Sequence, residues 1–381
     1  MDRGPEQRRS EQRQSDRRES EQRRSDRREP DRRESGRRKS DRRELERRES
    51  SGKRYGRFAA VIIAGVAVLA VAGLGYAGIQ KKKAAEAASA KATAEADDSN
   101  TVTWQGKNYK YNQNLSNYLL LGVDKRTPAE TRVGKADAGQ ADALFLLSLN
   151  RKTKEMTLIS IPRDTMTDVE SFDLEGKSLG KSKDHISLSY GYGDGGAESC
   201  KLTQEAVSNL FYGLPIQGYL AMNLDGIPEL AKSVGGLTVT VPNNSLEYKY
   251  PEFSEGAEVT LTEENTEIFV RSRDVDESQS AIYRMERQKA FLDAFSKKAK
   301  ECYEQNAKFA ANLFVAIKPY TVTNISEDRL MKLFQTADEG DGYTEWTVPG
   351  EGTQGLSYDE YQVDDDALYA KIMEIFYQEI K

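Results

Sequence analysis

Residues 118–164 read YLLLGVDKRTPAETRVGKADAGQADALFLLSLNRKTKEMTLISIPRD. Three apolar runs of strand length stand out there: YLLLGV, DALFLLSL and EMTLISI. Each is apolar at consecutive positions rather than alternate ones, which predicts strands covered on both faces. The polar stretch with Pro128, Gly134 and Gly139 reads as a loop, and residues 150–154 suit a hairpin turn or a short loop. Downstream, helical and strand-like segments alternate. Residues 198–211 have helical spacing, YLAMN is strand-like, 227–234 is helical, and Gly235-Gly236 breaks into LTVTV. A charged amphipathic helix is predicted from Arg284 to about Gln305. Two more, near 328–335 and over 365–380, flank a strand at YTEWTV. The pattern predicts an α/β domain over 117–381, a mixed sheet sandwiched between helices. No repeat typical of a solenoid is visible.

Upstream the composition changes. Residues 58–80, FAAVIIAGVAVLAVAGLGYAGIQ, carry no charge. As a helix they reach roughly 34 Å, slightly more than a hydrocarbon core of about 30 Å. They predict a single transmembrane helix. Lys53, Arg54 and Arg57 precede it and only Lys81, Lys82 and Lys83 come after it, so the positive-inside bias places the N-terminus in the cytoplasm and the rest outside the cell membrane. A cleaved signal peptide, suggested by Ala88-Ser89-Ala90, fits less well because the region before the apolar run is long. Residues 1–57 repeat a theme seen in SDRRE and PDRRE. They read as a disordered cytoplasmic tail, or alternatively as a solvated charged helix. Such a tail serves either as a spacer or as a contact for anionic headgroups, at about 1 kcal/mol per basic residue near the surface. Residues 81–116 read as a stalk and linker with the first extracellular residues, the helical stalk itself ending in a loop near residue 100.

Composition removes several classes. Of 381 residues, 56 are basic and 62 acidic, and the net charge is −6. Residues 1–54 hold 21 basic and 14 acidic side chains, so the remainder of the chain is strongly acidic, and nucleic acid is not an expected partner. Two cysteines and one histidine exclude a disulfide scaffold and a multi-histidine metal centre. Cys200 and Cys302 are read as unpaired by default, with a bridge as the alternative. His185 reads as structural, and no Ser-His or Cys-His nucleophile is evident.

Aspartates and arginines at the ends of predicted elements are the chemical candidates. Asp124 closes the first strand, Asp142 opens the second, and Arg163 with Asp164 ends the third. Carboxylates converging at strand ends can hold a hard cation through oxygen ligands. Arg271 and Arg273 point the same way from an extended segment and diverge from a helix end. Arg284, Arg287 and Gln288 share one helical face, which reads either as a solvated surface or as a pocket for phosphate oxygens at a helix start.

LLLGVDKR, QADALFLLSLNRKTKEMTLISIPRDT, ISLSYGYGDGG, SVGGLTVTVP, EIFVRSRD and YRMERQKAF match the order and spacing of the LytR-CpsA-Psr family, which the chain resembles over about residues 117 to 300. The resemblance implies a single-pass anchor, an extracellular α/β domain, and transfer of a glycopolymer from a polyprenyl diphosphate carrier to peptidoglycan. By that resemblance Asp124 and Asp142 look like magnesium (or manganese) ligands. Arg163 looks like a diphosphate contact with Asp164 as its neighbour, and Arg271, Arg273, Arg284, Arg287 and Gln288 resemble a second diphosphate cluster. Asp142 or Asp164 would serve as the base. Lys232, Thr266 and Ser187 depart from the family's usual residues, which bears on polymer choice and helix packing.

The implied function is a magnesium-dependent phosphotransferase whose partners are the lipid-linked glycan, peptidoglycan and membrane lipid. Two alternatives remain: a lipid-diphosphate pyrophosphatase, and a non-catalytic envelope protein of the transcriptional attenuator type that binds polymer or signals through its tail.

Overall fold

A computed structural model describes residues 101–126, 131–306, 308–326, 329, 333 and 343–380. The charged tail, the apolar segment 58–80 and residues 81–100 of the stalk lie outside the described residues, as does most of the helix expected near 328–335. Among the described residues no helix is long and apolar enough to cross a membrane.

The described residues open with a hairpin, β1 (Thr101–Trp104) and β2 (Lys107–Tyr111). The three apolar runs come next as β3 (Leu115–Val123), β4 (Ala141–Asn150) and β5 (Met156–Ile161). A second hairpin, β6 (Met166–Phe172) and β7 (Ser178–His185), leads to α1 (Leu188–Gly191), α2 (Ala197–Leu210), β8 (Gly218–Asn223) and α3 (Gly226–Ser233). After the pair β9 (Leu237–Thr240) and β10 (Glu258–Leu261) come α4 (Thr266–Arg271), α5 (Ser280–Gln305), α6 (Phe309–Ile317) and β11 (Thr321–Thr323). The chain ends with β12 (Tyr343–Thr347), a hairpin β13 (Gly350–Gln354) and β14 (Asp359–Val363), α7 (Asp365–Phe376) and β15 (Tyr377–Ile380).

Six strands form one sheet in the order β11-β8-β3-β4-β5-β12. β4 pairs antiparallel with both β3 and β5, while β8 joins β3 and β12 joins β5 in parallel, so the sheet is mixed. Consecutive apolar residues are needed because both faces are covered. Tyr118, Phe145, Leu147 and Leu158 pack against α3 to α6. Leu119, Leu121, Leu144, Leu146 and Ile159 pack against α1, α2 and α7.

This topology builds the site. Antiparallel pairing sets Val123 beside Ala141 and Leu144 beside Ile161, which brings the end of β3, the start of β4 and the end of β5 to one sheet edge. Asp124, Asp142, Arg163 and Asp164 therefore gather from three strand ends.

The structure corrects three expectations. The terminal helix stops at Phe376, and residues 377–380 turn extended to pair with β2. Residues 101–111, read among the linker and first extracellular residues, form the hairpin that receives them. α5 starts at Ser280, one turn before Arg284, so the free N–H groups of its first turn do not coincide with the arginine face. Cys200 and Cys302 are both free, in keeping with the default reading, because Cys200 lies in the core on one side of the sheet and Cys302 packs against the core on the other.

Candidate active site

Asp142 is the hub. One carboxylate oxygen accepts from Arg163 Nη1, and the other accepts from Arg284 Nη1 at 2.6 Å. Arg163 also donates through Nε to Asp164 at 3.1 Å and through Nη2 to Gln140 Oε1. The backbone N–H of Gln140 donates to Asp124 Oδ1 at 2.6 Å. Gly139 makes that turn possible: its φ is +93°, and a Cβ there would lie 2.5 Å from Lys125 Cγ and 2.8 Å from Asp124 Oδ1. Residues far apart in sequence thus form one network running from Asp124 to Arg284.

The network lines a polar hollow of about 970 Å³. Asp124, Gln140, Asp142, Arg163 and Asp164 form one wall, and Arg271, Arg273 and Arg284 form another. Ser187 and the β13–β14 hairpin tip complete it. Beside it, an apolar cavity of about 140 Å³ lies between the sheet and α3 to α5, lined by Leu120, Phe145, Met222, Leu224, Val270 and Phe291. Asp142, Arg271 and Arg284 border both spaces.

Arg284 is the least comfortable residue of the site. It is 4% exposed, and its Nε and Nη2 donors are buried with no hydrogen-bond partner. Burial lowers its pKa; Asp142 opposes that shift, and the Arg163 and Arg273 charges reinforce it. Donors of this kind are stabilised by an incoming acceptor. Ser187 Oγ, on the hollow wall, is also buried without a partner.

The remaining candidates divide. Arg273 donates to Ser280 Oγ at 3.1 Å and lines the hollow. Arg271 ends α4 and rests on Glu267 at 3.4 Å, with about half its side chain exposed. Arg287 is a correction. It is fully buried away from the hollow, and its guanidinium is engaged by Phe269 O at 2.8 Å, by Ser272 O and by Ser245 Oγ. Burial, aided by the neighbouring Arg284 charge, brings its pKa down to about 10. Gln288 donates to Val270 O at 3.2 Å and borders only the apolar cavity of the two spaces. His185 lines the hollow but is tied to Asp184 at 3.2 Å and to Asp359 O at 2.8 Å, which agrees with a structural role.

Sequence reasoning missed Gln140 as a connector, although it sits between Gly139 and Asp142 in GQAD. It also missed the 355–358 hairpin tip, which carries no motif. Among the described residues no group of three or more His, Cys, Asp or Glu side chains forms a metal cluster. The donor chemistry nevertheless suits magnesium, which binds through one or two carboxylates while keeping waters and substrate oxygens. Asp124 and Asp142, which both line the hollow, supply such carboxylates.

The LytR_cpsA_psr family model matches residues 76–374. The chain belongs to this family. The polyisoprenyl-teichoic acid–peptidoglycan teichoic acid transferase TagU of Bacillus licheniformis is 28% identical over 255 residues, covering 66% of this chain and 73% of that protein. TagU of Bacillus subtilis strain 168 is 27% identical over 256 residues, covering 66% and 73%. Among solved structures, protein gbs0355 of Streptococcus agalactiae superposes with a TM-score of 0.54 at 21% identity, covering 68% of this chain and 87% of that one. TagT bound to LI-WTA gives 0.52 at 20%, covering 69% and 89%. These likenesses bear out the α/β fold of the LytR_cpsA_psr domain.

Proposed function

We propose that the chain moves a glycopolymer from a polyprenyl diphosphate carrier onto a sugar hydroxyl of peptidoglycan, working at the outer face of a membrane to which residues 58–80 anchor it. Family membership and the TagU relatives, whose name couples polyisoprenyl-linked teichoic acid to peptidoglycan, support the reaction class. The observation that carries the reading is Arg284, a buried guanidinium with two unpartnered donors where an apolar cavity meets a polar hollow. A lipid diphosphate is an amphiphile of that shape, with an isoprenoid for the cavity, an anion for the arginines and a glycan for the hollow.

In the reaction the acceptor hydroxyl attacks the phosphorus nearer the glycan. A new P–O bond forms, the bridging P–O bond breaks, and polyprenyl monophosphate leaves with the electron pair. Arg163, Arg273 and Arg284 hold the diphosphate and stabilise charge as it develops on the leaving oxygen. Asp142 already accepts from two guanidinium groups, whereas Asp164 uses only Oδ1, towards Arg163. Asp164 is therefore assigned as the acceptor of the hydroxyl proton. Asp124 and Asp142 would hold magnesium, which when bound supplies Lewis-acid neutralisation of phosphate charge.

The test is to incubate the full chain in detergent with lipid-linked glycan, peptidoglycan and magnesium. Replacing Arg163 by alanine is expected to lower polymer attachment by about 100- to 1,000-fold, the effect of losing one donor to a transition-state oxyanion. Attachment at the wild-type rate would sink the assignment. Free glycan phosphate as the product, formed with water as acceptor, would identify a pyrophosphatase instead.

A further inference from the structure

At the opposite end of β3 lies a second concavity, a cleft of about 460 Å³. Leu115 lines it and Val123 lines the apolar cavity, so eight steps of one strand separate the two, about 26 Å. Its walls come from β1, β2, the β4–β5 turn, the loop between α2 and β8, and β15. They present Tyr111, Tyr212 and Tyr377 together with Gln113, Gln217 and Arg151. Arg329 adds a second guanidinium, and no acid is among the described lining residues; the nearest carboxylate contact is Asp365, which accepts from the Tyr212 hydroxyl at 3.3 Å.

Two features mark the cleft as built for a ligand. Tyr212 is 53% exposed yet held at φ +55°, a left-handed conformation that a bulky side chain rarely adopts, and Gly213 beside it stands at +84°. That strain keeps a ring at the surface, braced edge-on by Tyr369 at 5.2 Å. Tyr111 and Tyr377 form another edge-on pair at 5.9 Å. Meanwhile Arg151 Nε donates to Asn114 O at 3.2 Å and Nη2 to Gln113 O, which fixes the guanidinium without giving it a carboxylate partner among the described residues. Rings that pack against the C–H faces of sugars, amides for hydroxyls and a fixed guanidinium for carboxylate describe one ligand chemistry.

We propose that this cleft binds an acidic glycan strand of the cell wall, holding the acceptor remote from the reacting hydroxyl. The choice of a wall strand rests on the transfer reading, whereas the binding it predicts needs no lipid donor and is measured without one. The strand would lie along the domain, with sugar rings on the tyrosines and a carboxylate on Arg151.

The test is co-sedimentation of the full chain in detergent with peptidoglycan sacculi stripped of attached polymer, with immobilised poly(glycerol phosphate) as a second probe. Tyr212→Asn keeps a residue that tolerates left-handed backbone and should leave the melting temperature unchanged or higher, while lowering affinity for sacculi about 10-fold. Arg151→Gln should lower it as well and reduce its salt dependence. Arg163→Ala, in the hollow, should bind sacculi as wild type does while failing in transfer, which separates this proposal from the transfer reading. Unchanged affinity in both cleft variants overturns the proposal. So does affinity lost with Arg163→Ala alone, or binding to poly(glycerol phosphate) that depends on Arg151 but not on Tyr212.

Discussion

The two sides of the central sheet are covered by helices in the same way, yet they bury different chemistry. Under α1, α2 and α7 the core contains Leu119, Leu146, Ile159, Val207 and Phe376, with Cys200, hydroxyls such as Ser199 and Thr203 and the amide of Asn117 among its polar members and no charged side chain among the described residues. Under α3 to α6 the core contains an apolar cavity and both of the fully charged side chains buried among the described residues, Arg284 and Arg287. Burying a guanidinium is costly unless its donors are satisfied. One side therefore supplies stability, and the other gives up part of it by leaving two guanidinium donors of Arg284 unpartnered. Within the second side the contrast repeats over one turn of α5, where Arg287 is saturated with backbone and hydroxyl acceptors and Arg284 is not.

The sharpest way to break this contrast is to remove each arginine. Arg287→Ala deprives Phe269 O, Ser272 O and Ser245 of their donor, and should destabilise the domain by about 3–5 kcal/mol in denaturant titration, as expected for a broken buried polar network. Arg284→Met removes two donors that have no partner and one that Asp142 accepts from, and leaves Asp142 paired with Arg163. It should leave stability within about 1 kcal/mol of wild type and lower transfer by about 100-fold or more, roughly 3 kcal/mol of activation free energy. Equal stability losses in the two variants would erase the distinction between them.

The other side of the sheet gives a pH signature. Burial pushes the Cys200 thiol up to about 12 from an ordinary 9.0, with a smaller contribution from Asp194. A raised folded-state value favours the neutral thiol, so this contribution is complete below pH 9 and is lost as pH climbs towards 12. Stability should fall by about 1.4 kcal/mol per pH unit across that window. Tyr361, which burial pushes up to about 12 from 10.0, steepens the loss above pH 10. In denaturant titrations between pH 8.5 and 10, Cys200→Ala should flatten the slope. A slope that survives this substitution would locate the alkaline sensitivity elsewhere.

The sequence reveals these regions unequally. β3, β4 and β5 could be read directly because a strand covered on both faces must be apolar at consecutive positions. The β6–β7 hairpin was silent, since SLGKSKDH is almost wholly polar and its strand is held by pairing rather than by burial. β15 was hidden for a related reason, because YQEI continues the helical pattern of α7 and only the partner strand β2 decides otherwise. In the site, Asp124, Asp142 and Arg163 were legible as strand ends, but their convergence depends on antiparallel pairing. Arg284 and Arg287 shared a helical face by spacing alone. A rotation of about 60° between them (three steps of about 100°) is enough to send one to the hollow and the other to the α4 backbone.

The smallest effect probes the edge of the charged side, where Arg271 meets solvent. Glu267 Oε1 accepts from Arg126 at 2.7 Å and from Arg271 at 3.4 Å, and the longer contact marks Arg271 as the looser partner. Both arginines are about half exposed, so the stability cost of Glu267→Gln should stay below about 1 kcal/mol. The same change removes a negative charge near the proposed diphosphate site and frees Arg271 to turn into the hollow it already lines. KM for the lipid-linked donor should fall about 2- to 3-fold at low salt with kcat unchanged, and the difference should fade at high salt. A rise in KM would mean that Glu267 holds Arg271 in its working position, which would extend the satisfied behaviour of Arg287 to an arginine of the hollow.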